Sequence, residues 1–102
     1  MFNNLYTIIE NSANKVVIQL ADKNHPIFKA HFPTFAILPG FIQIDIIAHI
    51  LNDDIVSIKQ SKFISHILPL DTITYNIEKK ENKTSIKLFK DLKKVSEIRY
   101  ES

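Results

Sequence analysis

A chain of 102 residues, 45% of them hydrophobic and none of them cysteine, makes a single domain (residues 1–102) with one core, held by packing rather than by disulfides or thiolate-bound metal. Its formal charge of +2 is uneven, with ten Lys or Arg against six Asp or Glu from Lys59 onward and three against five before it. The basic half suits an acidic partner, or is simply a solvated lysine-rich surface; nucleic acid is disfavoured because no recognition motif or basic–aromatic stretch accompanies the lysines.

Met1 to Glu10 carries no basic residue and no export signal, which makes the cytoplasm the expected compartment. Leu5–Ile9 and Lys15–Ala21 read as strands, with Asn11–Asn14 turning between them and Asp22–Pro26 as a second break. Phe41–Leu51 is ambiguous: its first residues alternate apolar with polar as a strand would, but its length and its position after Pro39 and Gly40 suit a helix. Gln43, Asp45, His49 and Asn52 interrupt this most apolar stretch, so it falls short of the roughly 20 apolar residues a membrane span needs. Beyond it, Ile55–Ile67, Thr72–Glu78, Thr84–Phe89 and Val95–Tyr100 alternate as strands, with Pro69–Asp71 and Lys79–Lys83 as breaks, which predicts an antiparallel meander. So small a core gains from burying more surface, and a homodimer or higher oligomer is expected.

The block from His31 to Asp45 holds His31-Phe32-Pro33, then Pro39-Gly40, then Asp45 fourteen positions after the histidine. In this it resembles the FabA and FabZ type 3-hydroxyacyl-acyl-carrier-protein dehydratases, and more closely the ApeI-like dehydratases. His25, Pro26 and Phe28 resemble that family's approach to the histidine, and Lys62, Phe63, Leu68, Pro69 and Asp71 its later strand and Pro-Gly-Asp turn. The sequence departs from the pattern at Thr34 and Leu70, where glycines are usual, at His49, which replaces a glutamine, and at His66, which replaces a proline.

The resemblance implies an α+β hot-dog fold, a curved antiparallel sheet wrapped around one central helix at about residues 40–52, and so favours the helix for the ambiguous segment. It implies an enzyme without cofactor or metal that eliminates water from a 3-hydroxyacyl thioester carried by an acyl carrier protein or coenzyme A, in fatty-acid or polyene-type synthesis. His31 and Asp45 become the catalytic pair. Neutral His31 suits the base, and Asp45, buried on an apolar helix with its pKa raised, suits the acid or the holder of a water. Gly40, with Phe41 beside it, opens the helix, where unpaired amides favour a developing negative charge; this pair is the expected thioester-oxygen site. His49, one turn after Asp45, can support the acid, although the two can equally be an ordinary helix pair. His31, Asp45 and His49 have no standard metal-ligand spacing. His25 and His66 read as turn and strand residues. Two other functions remain open: a hot-dog thioesterase, which commonly lacks the histidine, and a non-catalytic acyl-binding or partner subunit.

Overall fold

A computed structural model describes residues 3–31 and 35–102, with the backbone alone at residue 31. Two strands, β1 (Tyr6–Ser12) and β2 (Lys15–Leu20), precede a short helix α1 (Pro26–His31) and a longer helix α2 (Gly40–Leu51). Four more strands follow: β3 (Ser57–Phe63), β4 (Thr72–Lys80), β5 (Lys83–Lys90) and β6 (Lys93–Glu101). They form one antiparallel sheet in the order β1-β2-β4-β5-β6-β3. The predicted strands are all present, and the ambiguous segment is helical. Helix α1 has no counterpart among the expected elements; only its first residue, Pro26, belongs to the expected break. The expected meander holds for β4, β5 and β6, while β3 pairs with β6 at the edge.

Period-two alternation fixes which face of the sheet is buried. Val16, Ile18 and Leu20 of β2, Ile73, Tyr75 and Ile77 of β4, Ile86 and Leu88 of β5, and Ile98 and Tyr100 of β6 all point into the core. Between them the outer face carries Asn76, Lys87 and Glu97 in cross-strand register. Val95 and Ser96 break the alternation by both being buried, at the register shift where Leu88 faces Ser96 and Phe89 faces Lys94. An extra residue on one strand is a β-bulge, and it puts two neighbours on the same side.

Helix α2 lies on this buried face through Ile42, Gln43, Ile44, Ile46 and Ile47. Each isoleucine withdrawn from water contributes about 1.5–3 kcal/mol, which outweighs the weak helix propensity of a β-branched run. The helix starts without a side-chain cap; the amides of Ile42 and Gln43 bond to the carbonyl of Pro39 at 3.1 and 3.2 Å. It stops at Asn52, whose φ of 56° is left-handed, with Asn52 N–H bonded to His49 O and Asp53 N–H to Ala48 O, a Schellman-type closure. Asp53 then anchors this end to the sheet, accepting from Tyr100 Oη at 2.5 Å and Lys79 Nζ at 2.8 Å. Among the described residues four other non-glycine positions are left-handed: Asn4, Leu70, Glu81 and Asp91.

At the helix–sheet interface, buried Gln43 takes a hydrogen bond from Ser96 Oγ at 2.6 Å on its Oε1, and its backbone carbonyl takes one from Tyr75 Oη at 3.1 Å. Burial pushes the Tyr75 hydroxyl far above its ordinary pKa, with Tyr6 adding to the effect, so it stays a donor. These bonds set the rotation of α2 about its axis, because only one face can present Gln43 to β4 and β6.

Candidate active site

That rotation leaves a stripe of α2 uncovered. Phe41, Asp45 and His49, spaced four apart, are all exposed. The expected burial of Asp45 is therefore not found within one protomer. The curved sheet packs on the helix through its isoleucines and leaves this one stripe to solvent. The end of β3 reaches the start of α2 at Phe63, and among the described residues this edge strand pairs with β6 alone. Apolar side chains stand out from and around it, including Ile58, Phe63 and Ile64, each about half exposed. An unpaired edge next to exposed aromatics and isoleucines is a surface that a second chain would bury.

At the start of α2, Gly40 and Phe41 line a cleft of about 440 Å³, together with Ile37, Leu38, Gln43, Phe63 and His66. As the first helical residue, Gly40 has an amide with no acceptor inside the helix. A Cβ at this position would stand 2.5 Å from Phe63 Cε2 and 2.6 Å from its Cζ, so the absence of a side chain is what lets the Phe63 ring reach the helix start. The walls are mostly apolar, and the polar groups among them are the Gly40 end of the helix, Gln43, Ser65 and His66. An apolar cleft with a helix N-terminus at its mouth can hold an acyl chain and stabilise charge on a carbonyl oxygen.

The structure thus brings Gly40 and Phe41 together and sets Asp45 one helical turn beyond Phe41, outside the cleft lining. His31 is the last residue of α1. Its side chain, and the departure from the family pattern at Thr34, lie outside the described residues. His66 falls in the loop after β3 rather than in a strand, and its ring meets Phe35 edge-on at a centroid distance of 5.5 Å. His25 sits at the turn that opens α1, as expected. Sequence reasoning missed Phe63 and Gln43 as parts of the cleft, and buried Ser96 as the partner that holds Gln43. The one available signal was Gln43, a polar residue amid isoleucines. Among the described residues no group of three His, Cys, Asp or Glu could hold a metal, and no helix is long and apolar enough to cross a membrane.

A family profile described as ApeI-like, ApeI dehydratase, matches residues 8–99. The chain belongs to the ApeI-like dehydratase family. Solved structures with the same fold include the dehydratase heterocomplex ApeI:P from Xenorhabdus doucetiae, with 24% identity, a TM-score of 0.75, and 94% of this chain and 96% of that one covered. An uncharacterized protein from Erwinia carotovora subsp. atroseptica follows at 19% identity and TM-score 0.65, covering 95% and 94%. Thioesterase superfamily member 2 from Mus musculus matches at 16% and 0.61, covering 98% and 86%. No curated protein matches the chain. For an ApeI-like dehydratase the hot-dog architecture is thus established, and the thioesterase neighbour shows that the fold alone does not select the reaction.

Proposed function

We propose that this ApeI-like chain is a 3-hydroxyacyl-thioester dehydratase that acts on substrates held by an acyl carrier protein. The observation that carries the reading is the Gly40 amide, placed at the mouth of an apolar cleft on the helix that also bears Asp45. In the proposed reaction His31 takes a proton from C2, negative charge gathers on the thioester oxygen facing the amides of Gly40 and Phe41, and the C3 hydroxyl leaves as water with a proton from Asp45 or from a water it holds. The product is the trans-2-enoyl thioester, and the proton count balances without a cofactor. His49 supports the acid.

Asp45 lies on an exposed stripe of α2, and β3 presents an unpaired edge near the start of that helix, so the site is proposed to be completed by a second chain that covers this face. A homodimer would pair His31 of one protomer with Asp45 of its partner. The neighbouring dehydratase heterocomplex makes a different chain the rival partner, and native mass spectrometry of the purified protein separates the two. The basic second half is the proposed face for the acidic carrier, and the cytoplasm is the proposed compartment.

Mass spectrometry of 3-hydroxyacyl- and enoyl-carrier thioesters incubated with the protein tests the reaction. Loss or gain of one water identifies a dehydratase. Release of a free acid would establish the thioesterase reading instead. No change in either substrate would leave a non-catalytic acyl-binding subunit.

A further inference from the structure

The six-residue helix α1 ends at His31, and an isolated helix of that length does not hold itself together. What fixes it is legible from its first turn. Pro26 opens the helix and has no N–H to satisfy. The amides of Phe28 and Lys29 donate to the backbone carbonyl of His25 at 3.0 and 3.1 Å. The amide of Ile27 donates to Nδ1 of the His25 ring at 3.1 Å. His25 thus caps the start of the helix with both its carbonyl and its side chain.

The same ring reaches in the other direction. Since Nδ1 accepts from a backbone N–H, the ring hydrogen must be on Nε2, and Nε2–H donates to the carbonyl of Asn3 at 2.8 Å. Asn3 belongs to the lead-in to β1, which turns at left-handed Asn4 and is pinned by fully buried Leu5, whose carbonyl accepts from Ala21 N–H at 2.7 Å. A neutral imidazole in one tautomer therefore ties α1 to the sheet. Phe28, fully buried, is the second anchor.

We infer that His25 is a positioning residue for His31: its ring clamps α1 to the β1 lead-in and so fixes where the last residue of that helix is delivered. The inference rests on the dehydratase reading for the role of His31, and adds to it a residue that touches no substrate. Among the described residues the cleft lining comes from the segment before α2, the start of α2, and the end of β3 with the loop after it, and none comes from α1, so the clamp is expected to govern the chemical step and not substrate affinity.

The test compares His25→Ala, which loses both bonds, with His25→Asn, whose side-chain oxygen can still cap Ile27 but which is too short to reach Asn3. With a soluble 3-hydroxyacyl thioester, and rates referred to folded protein, His25→Ala should lower kcat about tenfold or more with KM within about twofold, because small misplacements of a reacting group are costly. His25→Asn keeps the cap and so the helix but loses the link to Asn3, so its kcat should also fall, by about threefold or more, which covers the case in which the alanine variant fails to fold. An unchanged kcat in folded His25→Ala or in His25→Asn, or a loss appearing in KM alone, would overturn the inference. Amide exchange of Ile27, Phe28 and Lys29 reads the clamp independently of turnover: it should quicken selectively in His25→Ala, and unchanged protection would overturn the clamp. The dehydratase reading fails separately if wild type forms no enoyl product or His31→Ala keeps its rate, and amide exchange still decides the clamp in either case.

Discussion

Replacing Asp53 with alanine should unfasten the C-terminal end of α2. Its carboxylate, with only 10% of the side chain exposed, receives Tyr100 Oη and Lys79 Nζ, while Tyr100 is 1% exposed and the Lys79 side chain 42%. A hydrogen bond to a charged acceptor contributes about 1.5–3 kcal/mol. The half-solvated Lys79 pair adds about 0.5 kcal/mol after discounting for solvent screening. Asp53→Ala should therefore cost about 2–3 kcal/mol by urea titration, or about 10–20 °C in Tm. Asp53→Asn keeps the shape and should cost less. Burial alone would raise the Asp53 pKa, but the hydrogen bonds from Lys79 and Tyr100 and the charge of Lys79 outweigh it and hold the carboxyl below its usual value. A depressed folded-state value means that the stabilisation is fully present above the ordinary carboxylate range and is lost as pH falls through the folded value. The gap between wild type and Asp53→Asn should thus be flat from about pH 7 to about pH 5 and narrow below about pH 4. A Asp53→Ala cost under about 0.5 kcal/mol at pH 7, or a wild type–Asp53→Asn gap as wide at pH 3 as at pH 7, would refute the reasoning.

Three further outcomes follow from the site and the core. His31→Ala and Asp45→Asn should each lower kcat by about 10²–10⁴-fold with circular dichroism unchanged; near-normal turnover in either would remove that residue from the mechanism. If the pair is shared across a homodimer, mixing His31→Ala with Asp45→Ala protein should recover about a quarter of wild-type activity, since random exchange makes about half the dimers mixed and each holds one intact site; native mass spectrometry checks exchange, and exchange without recovery excludes the shared site. At the basic end, the raised Tyr75 and Tyr100 hydroxyls keep their protons in the fold after an unfolded chain would lose them, so stability should decline as pH rises above about 10, and less steeply in Tyr75→Phe as followed by urea midpoints.

Much of the sheet was legible because period-two alternation is a local property: Thr72–Glu78 and Thr84–Phe89 name their buried faces without reference to anything distant. The helix was not legible in the same way. Its isoleucines satisfy either period, and only the resemblance, carried by the Pro39-Gly40 and Asp45 spacing, favoured the form that the structure has. Helix α1 escaped notice because six residues hold too little pattern, and what makes it a helix, the His25 ring on Ile27 N–H, is a cap that propensity rules reserve for Ser, Thr, Asp and Asn. The burial of Asp45 was misjudged for a different reason. An apolar sequence around a carboxylate says that something covers those neighbours, but not whether the cover reaches every side of the helix or comes from the same chain. Gln43 was the opposite case: its partner Ser96 lies 53 positions away, and no local pattern pairs them.

The left-handed turn at Leu70 also bears on how this protein could be improved. With a φ of 68° and 60% of its surface exposed, Leu70 holds a backbone shape that a branched side chain resists, in a turn already braced by Leu68 N–H to Asp71 Oδ2 at 2.8 Å and Leu70 N–H to Ala21 O at 3.0 Å. That conformation costs a non-glycine residue about 1–2 kcal/mol, more than the flexibility a glycine adds to the unfolded chain. Leu70→Gly is therefore a single-site route to a more robust variant, at a position outside the Gly40 cleft lining.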